Sequence, residues 1–296
     1  MWGVDHVVSF RREVAGFERC VEAWEGRDVP LVPRCPDWSV ADLVFHLGVT
    51  HRQVARIAGA RSSEPPEGLG DPALLRLPEQ RWGWPEVGRG PLVGRMPRGL
   101  LDWFRDGADQ LEKVFAARDP GEPVWSWAPR GLGGRTVGFW MRSQAIEAAV
   151  HRWDAESAAG VPEPVETWLA ADAVSHVFEV LAPARQAWGQ TPPGRGERLR
   201  ITQTDGFRSW IVQVDADDVL LNQGTGCCLV ELAGSVSDLM MHLWQRIPRE
   251  EMGVRGEEAL LDRYLPSPAP WAAAGLARCC PNPGGAGTRG PVTRGE

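Results

Sequence analysis

Lysine and tyrosine are almost absent from this chain. Lys113 is the single lysine, and one tyrosine stands against fifteen tryptophans. Arginine therefore supplies nearly all of the positive charge, yet acidic residues outnumber basic ones and give a net charge of -7 with a pI near 5.5. Because no basic stripe offsets this balance, the composition argues against nucleic acid as the main partner.

Targeting and membrane-spanning segments are also missing. Residues 1–10 show no basic segment followed by an apolar run, so we expect no secretory signal. No stretch approaches the roughly 18 to 20 apolar residues of a membrane span. The six cysteines include two vicinal pairs and no CxxC spacing, which excludes a disulfide scaffold and a structural zinc pattern. We therefore predict a reduced, cytoplasmic protein with no membrane partner.

Apolar residues recur at helical spacing over much of the chain. The pattern predicts helices over residues 4–24, 40–58, 99–117, 136–158 and 165–188. Ser39 suits the N-cap of the second helix, and Asp42 adds an acidic residue to its first turn. Long irregular connections are predicted at 61–98 and 119–134. Four long helices with extended connections indicate a helical bundle.

The pattern changes after a segment rich in proline and glycine at residues 190–197. Alternating apolar residues then predict strands over 199–203, 210–215, 219–221 and 228–232. Ser235 is predicted to cap a helix over 236–246, which completes a small α+β unit. We therefore predict a helical domain at 1–162, an α+β domain at 163–265 and a disordered tail, rich in Gly and Pro, at 266–296.

Glu147 and His151 stand four residues apart in the fourth predicted helix. This spacing places a carboxylate and an imidazole on one helix face, one turn apart. A divalent metal can be held between them if a third ligand comes from elsewhere, and His46 lies in the second predicted helix. Such a set would leave coordination positions open for chemistry. The alternatives are a surface pair on one helix and a buried structural histidine.

Two segments carry a resemblance to a known family. Residues 35–48, Cys-Pro-Asp-Trp-Ser-Val-Ala-Asp-Leu-Val-Phe-His-Leu-Gly, and residues 147–154, Glu-Ala-Ala-Val-His-Arg-Trp-Asp, resemble signature segments of the mycothiol-dependent maleylpyruvate isomerase family. The similarity covers about residues 4–261. It implies an α plus α+β fold, in which a DinB-like four-helix bundle with a divalent metal, usually zinc, precedes a small α+β sterol-carrier-like domain.

The same resemblance implies roles for individual residues. His46, Glu147 and His151 match the metal ligands of the family. Asp154 matches a position that can hold a ligand histidine by a hydrogen bond, although its spacing from His151 equally suits a salt bridge on the helix surface. Arg246 matches an arginine that assists catalysis, and it can bind a substrate carboxylate through two parallel hydrogen bonds.

An open zinc site of this kind suits a thiol cofactor. A free thiol has a pKa of about 8.5 and is mostly protonated at neutral pH, whereas a metal-bound thiol is a thiolate. Two neutral histidines and one carboxylate leave the zinc centre with a net positive charge, which can acidify a thiol while leaving it reactive. The resemblance implies that this thiol is mycothiol, the glucosaminyl-inositol cysteine conjugate of actinobacteria.

We therefore expect a zinc-dependent, mycothiol-using enzyme whose thiolate attacks a small electrophilic substrate. An isomerase would release the thiol after bond rotation, an S-transferase would keep the adduct, and the sequence does not separate the two. A non-catalytic metal- and ligand-binding protein and a DinB-like metal-dependent hydrolase are the other hypotheses. Outside the cluster, we expect His51 to be solvated, and we expect Cys35 and the remaining histidines to be structural.

Overall fold

The computed structural model describes residues 5–265, except 65, 87–88, 129–133 and 223–225. The predicted disordered tail lies outside the described residues. The helices are α1 (His6–Glu22), α2 (Val40–Ala60), α3 (Leu100–Ala116), α4 (Val137–Ala159), α5 (Thr167–His176), α6 (Ala182–Ala187), α7 (Val236–Leu243) and α8 (Ala259–Tyr264). The strands are β1 (Leu31–Val32), β2 (Cys35–Ser39), β3 (Glu197–Gln203), β4 (Ser209–Val214), β5 (Val219–Asn222), β6 (Val230–Gly234) and β7 (Gly253–Gly256).

Side-chain caps set where the long helices begin. Asp5 accepts hydrogen bonds from the first-turn amides of α1, and Thr136 accepts one at the start of α4. Ser39 and Asp42 form a reciprocal capping box at the start of α2. At the other end of α4, Gly160 adopts a left-handed conformation that closes the helix. The four long helices predicted from periodicity are thereby confirmed within a few residues.

The long helices pack in two pairs, α1 on α4 and α2 on α3, and α2 also crosses α4. Aromatic side chains fill the space between α1 and α3, where the rings of Phe17 and Phe104 lie 5.3 Å apart. Gly48 allows the close approach of α2 and α3, because a Cβ at this position would lie 2.3 Å from the ring of Trp103. This packing positions the middle of α2 against the middle of α4.

The second region of the chain, residues 167–265, is a mixed sheet with helices packed on it. Its strand order is β5-β4-β3-β6-β7, with β3 and β6 parallel and the other neighbours antiparallel. Helix α7 packs against α5 and against the central strands β3 and β6. Leu199 and Ile201 lie two residues apart in β3, so they share one face of the sheet, and both are buried. Among the described helices we find none with the length and apolarity to traverse a bilayer.

Three features of the fold differ from the sequence prediction. The fifth helix is interrupted by a π-helical segment, Val177–Leu181, between α5 and α6. The predicted helix over 236–246 is too long, because α7 ends at Leu243 and Gln245 has a left-handed φ of 66°. The short strands β1, β2 and β7 and the helix α8 were not predicted, since segments of two to six residues carry little periodicity.

Asp42 joins the start of α2 to the long connection that follows it. Its Oδ2 accepts from the Ser39 amide at 2.8 Å and from the Leu92 amide at 2.9 Å. Asp42→Ala should lower the free energy of unfolding by about 1 to 2 kcal/mol, because it removes the cap and leaves the Leu92 amide without this acceptor. Urea unfolding checks this. Glu64 is exposed in the same connection, so Glu64→Ala is the control. Its free energy of unfolding should stay within about 0.5 kcal/mol of that of the parent protein.

Candidate metal centre

The candidate site lies where α2 crosses α4. His46 belongs to α2, and Glu147 and His151 belong to α4. One ligand-type atom from each of the three side chains lies within 4.8 Å of the others. The four-residue spacing places Glu147 and His151 on one face of α4, and the helix crossing supplies His46. The structure thus brings together the three predicted ligands, while metal binding itself stays a prediction.

Hydrogen bonds hold these side chains in place. His46 Nε2 lies 2.8 Å from Glu147 Oε1, and the side-chain amide of Gln144 donates to Glu147 Oε2 at 2.8 Å. His151 Nδ1 lies 3.0 Å from Asp154 Oδ2. Because Asp154 accepts the Nδ1 proton of the neutral ring, Nε2 of His151 keeps the lone pair that a metal needs.

An indole borders both histidines. The ring of Trp38, on β2, lies edge-on to His46 at 5.1 Å and parallel to His151 at 6.2 Å. The two imidazoles themselves meet edge to face with centroids 4.9 Å apart. This apolar wall limits the orientations of both rings and keeps water from one side of the cluster.

The charges of the cluster favour metal ligation at neutral pH. Burial by itself would raise the pKa of Glu147, but the hydrogen bond and charge of His46 outweigh it and lower that pKa to about 2. Burial lowers the pKa of His151, although Asp154 opposes this effect. The site therefore combines an ionised carboxylate with a neutral His151, and these are the protonation states in which both groups bind metals.

Arg246 reaches the site from the second region of the chain. Its Nε and Nη2 donate to Asp154 Oδ1 at 3.0 Å and Oδ2 at 2.8 Å, and Nη1 donates to the Trp244 carbonyl at 2.8 Å. Asp154 has an exposed fraction of 0%, so its contact with His151 is buried and is not a salt bridge on the helix surface. Burial would raise the pKa of Asp154, but Arg246 and His151 outweigh it and lower the pKa to about 2. The structure thus links His151 to Arg246 through one buried carboxylate.

Cys35, on β2, is half-buried near Arg246 and Asp154. Burial raises the pKa of its thiol to about 11 despite the opposing effect of the Arg246 charge. At neutral pH this thiol is therefore protonated and a weak nucleophile. The prediction that Cys35 packs rather than reacts agrees with this burial.

His51 is buried, and the prediction that it is solvated is wrong. Its exposed fraction is 0%, because Phe10 from α1 and Phe104 from α3 pack against its ring at 5.2 and 5.6 Å. Neither ring nitrogen has a hydrogen-bond partner in the described part of the chain. The five-residue spacing from His46 did not indicate this burial, because the side of α2 that carries His51 is covered by helices from other parts of the chain.

The remaining histidines stay apart from the cluster, as predicted. His6 lies 2.9 Å from Asp172, and His242 lies 2.9 Å from the carbonyl of Ile247. His176 is buried, and burial lowers its pKa to about 3. Their structural roles stay a prediction.

Gln144 and Trp38 contact the proposed ligands but were not among the predicted site residues. Gln144 lies one turn before Glu147 on α4, and this spacing was a usable signal for a hydrogen bond between them. Trp38 gave no comparable signal, because its contacts with His46 and His151 depend on how β2 lies against two helices.

The donor set fits a divalent ion such as zinc. Two imidazoles and one carboxylate are a common protein ligand set for zinc that leaves a position open. One donor atom from each of the three side chains lies within 4.8 Å of the others, and Nε2 of His151 holds a lone pair. Fold and site together define a helical region with a candidate metal centre, followed by a mixed α/β region.

Comparisons with known proteins agree with this description. Residues 10–156 match the family model of the mycothiol maleylpyruvate isomerase N-terminal domain. A crystal structure of the mycothiol-dependent maleylpyruvate isomerase is similar to this chain with a TM-score of 0.54 and 12% identity, over 86% of this chain and 93% of that one. A histidine-to-alanine mutant of that isomerase has a TM-score of 0.52, with the same identity and coverage. No curated protein matches the chain.

Residues 10–156 of the chain belong to the mycothiol maleylpyruvate isomerase family, as a member of its N-terminal domain. The resemblance in its two signature segments is thereby confirmed. The solved structures, at 12% identity, show the shared fold. The fold of this chain is therefore similar to that of the isomerase over most of both chains.

Buried His51 makes stability depend on pH. Burial lowers its pKa from about 6.5 to about 3 in the folded protein. The unfolded chain therefore binds a proton that the native state does not bind between these values, so stability falls as the pH drops from about 6.5 toward 3. Replacing the ring by one that does not titrate, in His51→Phe, should reduce the slope of unfolding free energy against pH by up to about 1.4 kcal/mol per unit. Urea unfolding at a series of pH values measures this slope. An unchanged slope would mean that His51 already carries its proton in the native state.

Proposed function

We propose that this protein is a metal-dependent enzyme that uses mycothiol and acts on a small electrophilic substrate. The cluster of His46, Glu147 and His151 supports this proposal most strongly, because it lies in a domain that matches the N-terminal domain of mycothiol maleylpyruvate isomerase. These three side chains would hold the ion, for which zinc is our choice. A bound zinc ion would supply a Lewis acid that lowers the pKa of a coordinated thiol and favours the thiolate.

The protein's own residues prepare this chemistry. With a divalent ion bound, the single negative charge of Glu147 and two histidines that bind as neutral ligands would leave the site with a net positive charge for a thiolate. Gln144 orients the Glu147 carboxylate, and Asp154 orients His151. Trp38 packs against both imidazoles and limits their orientations.

An external thiol fits this site better than a thiol of the protein. Cys35 is close enough for the charges of Arg246 and Asp154 to affect it, but its pKa is raised to about 11. A group with that pKa supplies almost no thiolate at neutral pH. The nucleophile would therefore come from a cofactor, and the family points to mycothiol.

The reaction we favour is isomerisation of an activated double bond. Addition of a thiolate turns the double bond into a single bond, rotation follows, and loss of the thiolate restores the double bond in the other geometry. Transfer of the thiol to an electrophilic carbon is the other outcome of the same first step. Maleylpyruvate is the first substrate to test, because the related solved structures are named for it.

The domain organisation belongs to the same proposal. We propose a DinB-like four-helix bundle at residues 1–162 that carries the metal and a sterol-carrier-like α+β domain at 163–265. Use of mycothiol would place the protein in the cytoplasm of an actinobacterium. Its acidic balance supports a small-molecule partner over nucleic acid.

Loss of one imidazole should remove the metal. The purified protein is expected to hold about one zinc ion per chain, and His46→Ala should reduce this to a small fraction, since two remaining ligands bind zinc weakly. Elemental analysis by mass spectrometry after dialysis measures the content. His242→Ala is the matched control and should keep its zinc, because His242 contacts Ile247 instead of the cluster. Stoichiometric zinc in His46→Ala would overturn the site.

Mycothiol should bind through its sulfur. Cobalt substituted for zinc is expected to show a new sulfur-to-metal charge-transfer band when mycothiol is added, and S-methylated mycothiol should give none. Turnover of maleylpyruvate in the presence of mycothiol then tests the reaction. A site that binds metal stoichiometrically but shows no band and no turnover would favour a non-catalytic binding protein.

A further inference from the structure

Arg246 and Asp154 connect the second region to the candidate metal centre. The guanidinium donates to both oxygens of the carboxylate, at 3.0 and 2.8 Å. The two residues are 92 positions apart in the chain. Both are buried, with exposed fractions of 8% for Arg246 and 0% for Asp154. A bidentate pair of this kind fixes orientation as well as distance.

One oxygen of Asp154 serves two partners. Oδ2 lies 2.8 Å from Arg246 Nη2 and 3.0 Å from His151 Nδ1. Rotation of the carboxylate would therefore break the contact with His151 as well as the contact with Arg246. The arginine fork holds the plane of the carboxylate, and the carboxylate holds the plane and the tautomer of the imidazole.

The backbone before Arg246 supports this placement. Helix α7 ends at Leu243, and the chain turns through Gln245, whose φ is 66°. The Arg246 amide then donates to the Met241 carbonyl at 2.7 Å, and its Nη1 donates to the Trp244 carbonyl at 2.8 Å. The guanidinium is therefore fixed to its own turn on one edge and to Asp154 on the other.

We propose that Arg246 is a positioning residue of the metal centre, acting through Asp154 to keep Nε2 of His151 directed at the ion. This inference rests on the proposed function, because it takes the cluster as a metal site. It differs from the expectation that Arg246 binds a substrate carboxylate, since Asp154 already occupies the Nε–Nη2 edge of the guanidinium. The sheet region thereby helps to build a site whose proposed ligands all come from α2 and α4.

Removing the guanidinium leaves a fully buried carboxylate without its strongest partner. An unpaired buried charge is costly, so the side chain must rearrange. Any rearrangement of Asp154 changes its contact with His151. Loss of a partner behind a ligand histidine typically weakens metal affinity by about 10 to 100 times. The effect of Arg246 should therefore appear in metal binding before any substrate is present.

Zinc affinity of the full chain, measured by competition with a chromophoric chelator, tests the proposal. Arg246→Met and Asp154→Asn should each weaken zinc binding by about 10 to 100 times. The double variant should be no weaker than the worse single variant, because both changes break one connection. Arg246→Lys should fall between the parent and Arg246→Met, since lysine keeps the charge and loses the fork.

Arg142→Met is the matched control. Arg142 joins α4 to Asp172 on α5 and to Glu179, at 2.9 and 2.7 Å, so its loss also breaks ion pairs between α4 and the following segment. It is expected to leave zinc affinity unchanged. Equal affinities in the parent protein and Arg246→Met, or equal losses in Arg246→Met and Arg142→Met, would overturn the proposal.

A second measurement works without metal. Nitrogen chemical shifts of the metal-free protein should show His151 as a single tautomer protonated at Nδ1, and Arg246→Lys and Arg246→Met should show a mixture of tautomers. If the parent protein binds no zinc, the proposed function fails while the tautomer shifts still decide the role of Arg246. If Arg246→Met does not fold, Arg246→Lys decides in its place, and an unchanged tautomer would overturn the proposal.

Discussion

The contact between His46 and Glu147 is the interaction on which the rest of the site depends. It joins α2 to α4 at 2.8 Å and fixes the separation of the two helices where the cluster lies. A carboxylate in this position is stable only beside partners that compensate for burial, and His46 and Gln144 supply them. Without the crossing of α2 over α4, Glu147 and His151 would be two neighbours on one helix.

Buried arginine–carboxylate pairs support α4 on both sides of the cluster. Arg152, next to His151, donates to Glu13 of α1 at 2.6 Å and to Glu156 at 2.6 Å. Arg246 donates to Asp154 from the second region. Arg152 donates to two carboxylates at once, and Arg246 donates to both oxygens of one carboxylate. A lysine ammonium makes such contacts with less directional control. The near absence of lysine is therefore compatible with a core that uses arginine to order its carboxylates.

Much of the fold followed from local patterns. Apolar periodicity located α1 to α4, and Ser39 with Asp42 located the start of α2, because caps and amphipathic faces act over a few residues. The pattern of α2 alone predicted a solvated His51, because it carries no information on the neighbouring helices. Phe10 and Phe104 approach His51 from two other helices, and nothing in the sequence around position 51 reports their presence.

The sequence by itself determined the helices, the four-residue spacing of Glu147 and His151, and the two signature segments that identify the family. Only the tertiary structure decided that His46 meets Glu147 and that the guanidinium of Arg246 binds Asp154. Spacing within a helix is fixed by backbone geometry, so it can be read from residue numbers. His46 and Glu147 are separated by 101 positions in the chain, and Asp154 and Arg246 by 92. Such contacts depend on how whole elements pack, and the packing follows from the combined shape and charge of many side chains.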